Sequence, residues 1–543
     1  ESVIARHDGL RQVFARNGET FDILDPFALP LALHDLSDEP DPKAALEALI
    51  VEDAGVEIDI VAGPPLRAFL ARLSAEAHVL VVDAHHIVCD GWSYNVLSQD
   101  LAAYYREAVT GTPADLPPAP SFAAFAQDRA SRPANAETEA FWRAQYADLP
   151  ELPELPTDRP RPGVKSFHGA STTALIPGEV MRAARKAGAA RGCTLFSTLF
   201  AALQIVIGRL GGSDDVVLGV PTGGQSLLAN PDLVGHCVNF LPIRVPLDPS
   251  ASAALHLETV NDRTLAAFEH RDYTYGTLVR DLDIARSLNR LPLTEVQFNL
   301  ERLAESLDMG PVRLTAAPNP KRAVNFDLFF NIVERRDGLR VDVDYNSDIF
   351  DAATVQRWIG HLETVLSELA ADPDRPVAHL PVQSADAAAW MADRLNRTEA
   401  ALPQQQTLHA LVDGQAGETP DRVALEFAGA RMSYADLKAR SDAIAKALQD
   451  KGLPPGGRIA VALPRSADAV AALLGVMKSG NAYVPLDPEY PADRIEFYAA
   501  DSGARVIVSE SGLPEVCPEG AVRLLAEALQ AKGHTVVDPT MIR

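Results

Sequence analysis

The chain has 543 residues, of which 47% are hydrophobic and 23% charged, so it has ample material for three or four globular units. Its net charge of −25 at pH 7 argues against binding to nucleic acid or to an anionic membrane surface, because both would repel it. The four cysteines lack paired spacing, no apolar run reaches membrane length and no secretory signal opens the sequence, so we expect a reduced, cytoplasmic protein without membrane partners.

Helical spacing of apolar residues predicts a first helix over residues 1–14. A strand is predicted over residues 64–73, which read PPLRAFLARL. A second helix is predicted over residues 92–109. Its buried face is expected to contain Val96, Leu97, Leu101, Tyr104 and Tyr105.

The stretch between these last two elements, residues 79–93, reads VLVVDAHHIVCDGWS and begins with an apolar run that predicts a buried strand. Successive strand side chains face opposite sides, so only one of His85 and His86 can reach a given cavity. That one can hold or take the proton of an attacking amine or hydroxyl. Asp90 is best explained as the buried partner of an arginine, and Gly91 permits a tight turn that would bring its N–H to an oxyanion.

The pattern His85-His86-xxx-Asp90-Gly91 resembles the HHxxxDG signature of the condensation domains of nonribosomal peptide synthetases. It also resembles the wider acyltransferase superfamily that includes chloramphenicol acetyltransferase. The resemblance implies that His86 orients or deprotonates an amine, that Gly91 contributes an N–H to the oxyanion, and that His85 and Asp90 hold the loop. No metal is expected, because adjacent strand histidines diverge and no further ligand has suitable spacing. Cys89 is expected to be a small packed residue rather than a nucleophile.

Residues 6–14 resemble a second motif of the same family, RHxxLRxxF. In that family an arginine of this motif pairs with the aspartate of the central motif. Arg6 or Arg11 is therefore the expected partner of Asp90, and the sequence does not say which. The family's first motif would precede residue 1, so the chain is expected to be a piece of something longer with an incomplete first lobe.

The proline-rich segment 149–162 is predicted to cross between two lobes rather than to pack as an element. Residues 193–220 predict a buried helix, a turn at Gly211-Gly212 and a strand. Closing strands are predicted from Phe326 to Leu328 and from Leu339 to Tyr345, followed by a last helix over residues 351–369.

Three stretches of this second lobe, residues 234–240, 270–273 and 286–298, resemble later motifs of the family. His236 lies in the first of them as a lone histidine, for which a structural role is favoured over catalysis. Residues 296–300, VQFNL, are similar to condensation domains that accept polyketide-derived donors. The central motif and these stretches together contain six residues that the resemblance places along a substrate tunnel, here called the motif set: Trp92, Ser93, Asn239, His270, Asp272 and Asn299.

The last part of the chain resembles the start of an adenylation domain. Residues 432–437, MSYADL, and 478–487, KSGNAYVPLD, match its first two motifs, and residues 371–405 are expected to form a linker packed on the preceding domain. The phosphate-binding loop that follows in that family is not in the sequence, so this part is predicted to be inactive alone. ATP and Mg²⁺ would be needed only by a complete adenylation domain.

The resemblance therefore predicts an α/β fold with two chloramphenicol-acetyltransferase-like lobes in a V and a truncated α/β adenylation subdomain. The predicted boundaries are 1–150 and 151–383 for the lobes, 384–407 for the linker and 408–543 for the adenylation part. The implied reaction is amide formation between an upstream acyl- or peptidyl-carrier thioester and a downstream aminoacyl-carrier thioester. The implied partners are the two carrier domains and the rest of the adenylation domain.

No covalently bound cofactor is expected, because the substrates arrive on the phosphopantetheine arms of the carriers. Three alternatives remain open at this point. A stand-alone acyltransferase acting on coenzyme A thioesters and an epimerisation domain are both disfavoured by the adenylation sequence that follows. A non-catalytic docking platform for carriers is disfavoured by the intact His86, Asp90 and Gly91.

Overall fold

The computed structural model of the chain describes residues 1–132, 135–225, 231–285, 287–301, 306–319, 321–401, 407–509 and 522–525. The chain divides into two units, Glu1–Arg397 and Thr398–Arg543. Several parts of the sequence predictions lie outside the described residues: Arg286, residues 402–406 of the predicted linker, and residues 510–521, which include Cys517, and 526–543 of the predicted adenylation part. Within the described residues, no helix combines the length and the apolar character needed to cross a membrane.

The first unit has eleven α-helices and thirteen strands in its described residues. The helices are α1 (Ser2–Arg6), α2 (Pro42–Asp53), α3 (Gly91–Thr110), α4 (Phe122–Ser131), α5 (Ala136–Gln145), α6 (Gly178–Ala189), α7 (Leu195–Gly211), α8 (Ala253–Glu269), α9 (Tyr275–Asp281), α10 (Ala352–Ala371) and α11 (Ala385–Trp390). The strands are β1 (Gln12–Phe14), β2 (Phe21–Ile23), β3 (Leu31–Asp35), β4 (Leu66–Arg72), β5 (His78–Ala84), β6 (Gly169–Pro177), β7 (Asp215–Gly223), β8 (Val238–Pro246), β9 (Val296–Glu301), β10 (Leu307–Asp308), β11 (Arg313–Leu314), β12 (Leu328–Glu334) and β13 (Gly338–Asn346).

The N-terminal part of this unit contains a three-stranded sheet in the order β3-β4-β5. The two strands predicted from the sequence are confirmed as β4 and β5, which pair antiparallel. The prediction that β5 is buried is wrong, because β5 is an edge strand with one covered face. Val81 packs against Leu46 and Phe69 on that face, whereas Leu80 points away and is 36% exposed.

The first fourteen residues do not form the single helix that their spacing predicts. Helix α1 ends at Arg6, a 3-10 turn spans Asp8–Arg11, and residues 12–14 become β1. Strand β1 pairs antiparallel with β2, with Phe14 opposite Phe21. The pairing with β2 therefore overrides the local helical pattern in this segment.

The C-terminal part is built on a six-stranded sheet in the order β6-β13-β12-β9-β7-β8. Strand β9 runs parallel to β12 and β7, and the other neighbours are antiparallel. Helix α7 is buried over most of its length, and Gly212 ends it with a left-handed φ of +63°. The helix, turn and strand predicted over residues 193–220 are thus confirmed, as are the second closing strand, β13, and the last helix, α10. The first closing strand, predicted from Phe326 to Leu328, is wrong in its bounds, because β12 begins at Leu328 and continues to Glu334.

The crossing segment is packed more firmly than predicted. Arg161 forms an ion pair with the buried carboxylate of Asp327. Arg159 donates to the carbonyl oxygens of Ser347 and Phe350 at 2.9 Å. The segment forms no helix or strand and contains no buried residue, as expected of a crossing, but two arginines fasten it: Arg161 to the residue before β12 and Arg159 to the loop after β13.

The predicted linker is packed on the preceding domain over only part of its length. Val377 and Leu380 are buried, as expected of a segment packed on the preceding domain. From Ser384 to Leu395, however, α11 and the π-helical turn that follows it are exposed, and Trp390 is 50% exposed. The prediction of a packed linker is wrong for this stretch.

The second unit is also α/β, so the predicted fold class is confirmed for both units. It contains helices α12 (Leu408–Glu418), α13 (Tyr434–Gln449), α14 (Ala467–Lys478) and α15 (Ala492–Ser502), and strands β14 (Val423–Phe427), β15 (Ala430–Ser433), β16 (Arg458–Ala462), β17 (Ala482–Pro485), β18 (Val506–Ser509) and β19 (Val522–Leu525). The last four strands form a parallel sheet in the order β17-β16-β18-β19. The buried Lys478 of α14 joins Asp413 of α12 and Asp442 of α13, at 2.5 and 2.7 Å.

Candidate active site around His86

The central motif forms the turn between the end of β5 and the start of α3. The N–H of His85 donates to Pro65 O at 2.9 Å, and the N–H of Val88 donates to His85 O at 3.0 Å. Asp90 is the N-cap residue of α3. A strand end, a closed turn and a capped helix therefore fix the backbone that carries both histidines.

Asp90 is 1% exposed and accepts four hydrogen bonds. Its Oδ1 accepts from Ser93 N and Ser93 Oγ at 2.8 and 2.7 Å. Its Oδ2 accepts from Gln225 Nε2 at 2.8 Å and from the N–H of Cys237 at 3.0 Å. Asp90 is buried, as expected, but the predicted pairing with Arg6 or Arg11 is wrong, because neutral donors from Ser93 and from the C-terminal part occupy the carboxylate.

The two candidate arginines have other partners. Arg6 Nε lies 2.8 Å from Asp100 Oδ2, and His7 Nε2 lies 2.7 Å from the same oxygen. Arg11 donates to the carbonyl oxygens of Ile4 and Leu24. Although burial alone would raise it, hydrogen bonds from His7 and Arg6 hold the pKa of Asp100 below its ordinary value.

Asp100 is a buried residue that the sequence analysis missed. It lies on the same face of α3 as Ser93 and Val96, which are also buried. Its spacing from Val96 is the only signal in the sequence that places it there. Tyr105, predicted to be buried on this helix, is instead 37% exposed.

The two histidines of the motif have different surroundings. His85 Nδ1 accepts from the N–H of Ile87 at 3.1 Å, inside the turn. Partial burial and the neighbouring His86 lower the pKa of His85. His86 is exposed, and its Nδ1 lies 3.1 Å from Nδ1 of His236, with the ring planes 78° apart.

Gly91 is the first residue of α3 and is exposed, and it is not at a positive φ. A Cβ at this position would lie 3.5 Å from Glu301 Oε1. Glu301 Oε1 accepts from Asn299 Nδ2 at 3.0 Å, and the same Asn299 amide donates to Asn331 Oδ1 at 2.9 Å. The expected tight turn at Gly91 is therefore not the reason for a glycine here, and the missing side chain leaves space between the helix start and a carboxylate.

The start of α3 is fastened to residues 231–237. Trp92 Nε1 donates to Pro231 O at 2.7 Å. Ser93 is fully buried, and its Oγ accepts from the N–H of Gly235 at 3.1 Å. Trp92 and Ser93, two members of the predicted motif set, thus connect the N-terminal and C-terminal parts of the first unit.

Three other members of that set lie in a separate cluster around the connection after α8, whereas Asn299 lies beside Glu301. Asn239 Nδ2 donates to the carbonyl oxygens of Arg271 and Tyr273 at 2.6 and 2.9 Å. His270 stacks on Phe141, with 4.2 Å between ring centroids. Asp272 pairs with Arg129 on the surface, at 2.7 Å. These contacts brace the connection, and no described hydrogen bond joins the three residues to His86 or Asp90.

The cysteines near the turn are buried thiols. Burial, with the Asp90 carboxylate as a second cause, raises the pKa of Cys89 and of Cys237 to about 12. A thiol with so high a pKa stays protonated at neutral pH and is a poor nucleophile. Among the described residues, no group of three or more His, Cys, Asp and Glu side chains is arranged to hold a metal ion.

Comparison with known proteins gives two family matches. Residues 1–390 match the model of the condensation domain, and residues 412–541 match the model of the AMP-binding enzymes. Similar proteins include a linear gramicidin synthase of Brevibacillus parabrevis, 31% identical over 96% of this chain and 7% of that protein. Malpibaldin synthetase of Mortierella alpina is 32% identical over 94% of this chain and 9% of its own length. The chain thus spans less than a tenth of these two relatives.

Two solved structures share the fold. A four-domain nonribosomal peptide synthetase bound to AMP and glycine aligns with a TM-score of 0.82 and 22% identity, over 99% of this chain and 41% of that chain. The first condensation domain of the calcium-dependent antibiotic synthetase, in complex with a substrate analogue, aligns with a TM-score of 0.60 and 21% identity, over 70% of this chain and 88% of that chain. At these identities the likeness shows the fold.

Proposed function

Because the chain belongs to the condensation-domain family and continues into an AMP-binding region, the order found in nonribosomal peptide synthetases, we propose that it forms amide bonds in nonribosomal peptide synthesis. The donor is an acyl or peptidyl group held as a thioester on an upstream carrier domain. The acceptor is an aminoacyl thioester on a downstream carrier. The observation that carries the proposal is the exposed imidazole of His86 on a turn that Asp90 fixes by four hydrogen bonds.

In this reaction the acceptor amine nitrogen attacks the donor carbonyl carbon, and the carbonyl oxygen becomes an oxyanion. The carbon–sulfur bond then breaks, the donor leaves its carrier as an amide, and the freed thiolate takes up a proton. His86 is the group that orients the amine and accepts its proton. An α-amino group has a pKa of about 8, so a large share of the rate comes from positioning rather than from strong-base catalysis.

Gly91 is proposed to stabilise the oxyanion. The first N–H groups of a helix have no partner within the helix and carry a partial positive charge. Gly91 occupies this position in α3. The carboxylate of Glu301 lies close to the same helix start, where it attracts the acceptor amine while that group is still protonated.

Asp90, His85 and the N-terminal arginines are proposed to hold this arrangement rather than to react. Asp90 joins the turn to Gln225 and Cys237, so it sets the position of His86 relative to the C-terminal part. Arg6 anchors α1 to α3 through Asp100. That residues 408–543 alone do not adenylate an amino acid, and that the donor is polyketide-derived, stay predictions.

The test is product formation by mass spectrometry, with an acyl-loaded upstream carrier and an aminoacyl-loaded downstream carrier. The wild-type chain is compared with His86→Ala and with His78→Ala, which removes another exposed histidine from β5. We expect an amide product from the wild type and from His78→Ala, and a loss of at least tenfold for His86→Ala.

Two results would contradict the proposal. If the wild type gives no product with any of several donors, the docking-platform alternative is favoured. If His86→Ala forms product at the wild-type rate, the chemistry does not use His86.

A further inference from the structure

His86 and His236 come together from positions 150 residues apart in the sequence. Their Nδ1 atoms are 3.1 Å apart, and their rings meet edge to face with 5.0 Å between centroids. A neutral imidazole has one N–H and one lone pair. A hydrogen bond between two ring nitrogens therefore requires that one Nδ1 carries the proton and the other accepts it.

The geometry points to His236 as a positioning residue that accepts a hydrogen bond from Nδ1–H of His86 and so keeps the lone pair of His86 on Nε2. This inference rests on the proposed condensation reaction, because the lone pair on Nε2 is what receives the proton of the acceptor amine. In the reverse arrangement His236 donates, Nε2 of His86 carries a proton, and His86 has no lone pair for the amine.

The backbone on both sides of His236 is held by the residues that cap α3. The N–H of Gly235 donates to Ser93 Oγ at 3.1 Å, and the N–H of Cys237 donates to Asp90 Oδ2 at 3.0 Å. Asp90 and Ser93 therefore locate His236 and the His86 turn together. This shared support fixes the distance between the two imidazoles, which is what a positioning role requires.

The charges around His236 favour a neutral acceptor. Partial burial and the neighbouring His86 lower the pKa of His236, and the Asp90 carboxylate opposes them by raising it. The net shift is downward, so His236 keeps one lone pair at neutral pH. The titratable groups that act on the ring are thus His86 across the contact and Asp90 behind the backbone of Cys237.

Two substitutions separate the hydrogen bond from the shape of the side chain. His236→Phe keeps a flat ring but removes the acceptor, and His236→Asn places an amide oxygen close to where Nδ1 stands. We expect kcat of His236→Phe to fall at least tenfold with KM for both loaded carriers unchanged, and His236→Asn to stay within about threefold of the wild type. Thermal melting of both variants checks that they fold.

A spectroscopic measurement reads the tautomer without turnover. In protein labelled with 15N-histidine, long-range 1H–15N spectra distinguish an Nδ1–H from an Nε2–H ring, and His86→Ala identifies the His86 signals. We expect the Nδ1–H form of His86 in the wild type and in His236→Asn, and a shift toward Nε2–H in His236→Phe.

The inference is overturned if His86 of the wild type is in the Nε2–H form, or if His236→Phe retains both the tautomer and kcat. The two proposals fail separately. If His236→Phe keeps the wild-type kcat and tautomer while His86→Ala is inactive, the proposed condensation reaction is retained and the role of His236 is disproved. A wild type without product removes the proposed reaction, whatever tautomer the spectra show.

Discussion

Arg6 and Asp100 form a buried ion pair, with 2.8 Å between Nε and Oδ2 and less than a tenth of either side chain exposed. His7 shares the same carboxylate oxygen at 2.7 Å. Because the pair joins α1 to the middle of α3, it fixes the helix that begins at the His86 turn. The ion pair therefore determines the position of α3 and lies away from the groups that are proposed to react.

Asp100→Ala is expected to lower the free energy of unfolding of the first unit by about 3–5 kcal/mol, because it leaves the side chains of Arg6 and His7 buried without their partner. Asp272→Ala is the matched control, since its pair with Arg129 is exposed and worth about 1 kcal/mol or less. Urea unfolding followed by tryptophan fluorescence measures both. Equal effects of the two substitutions would show that the buried pair does not stabilise the unit.

Asp90→Ala is expected to lower both the melting temperature and the yield of amide product. The substitution removes an N-cap, worth about 0.5–2 kcal/mol, and leaves the amides of Gln225 and Cys237 buried without an acceptor. His86→Ala should leave melting nearly unchanged, because the side chain is exposed. A variant Asp90→Ala that melts like the wild type but forms no product would instead give Asp90 a direct chemical role.

Replacing each of two glycines beside the candidate site by alanine should have different effects on stability. A Cβ on Gly235 would lie 2.0 Å from Cδ2 of Phe122, so Gly235→Ala forces the ring or the backbone to move and should destabilise the unit by about 1–3 kcal/mol. A Cβ on Gly91 would make only an ordinary 3.5 Å contact with Glu301, so Gly91→Ala should fold normally. Melting curves of the two variants test this contrast, and a large loss for Gly91→Ala would contradict it.

The buried His256 predicts a loss of stability in mild acid. Burial lowers the pKa of His256 from 6.5 to about 4. Between these pH values the unfolded chain binds a proton at His256 that the folded chain does not. The free energy of unfolding therefore decreases as the pH decreases, by about 3 kcal/mol over the whole interval. The contribution is fully present above pH 6.5 and is lost as the pH falls toward 4.

Urea unfolding at pH 7.5 and pH 5 measures this effect. His256→Gln should remove about 2 kcal/mol of the difference between the two pH values, which is the part expected at pH 5. His78→Gln, at an exposed histidine, should keep the wild-type difference. The assignment to His256 is wrong if both variants keep that difference unchanged.

The sequence predicts elements well where one periodicity dominates. Helix α7 is apolar on nearly every side and buried, and the turn at Gly212 needs a left-handed residue, so both follow from local chemistry. The partner of Arg6 does not follow from local chemistry. Asp90 and Asp100 are both buried carboxylates on the same helix, and only the direction of α1 decides which one Arg6 reaches.

The partner of His86 is equally hidden from the sequence. His236 is a lone histidine in its motif, and 150 residues separate it from His86. Tertiary contacts bring it into place, among them the hydrogen bonds from Trp92 to Pro231 and from Gly235 and Cys237 to the start of α3. Local motifs therefore identify the turn, and tertiary contacts determine what the turn meets.

The hydrogen bond from Cys237 to Asp90 also has a consequence for how the protein is made. The two residues are 147 positions apart. Ribosomes add about 5–20 residues per second, so the carboxylate leaves the exit tunnel on the order of ten seconds before its donor does. During translation the histidine turn is therefore present early but incomplete, and its final geometry arises only when the second half of the unit has been synthesised and has folded onto the first.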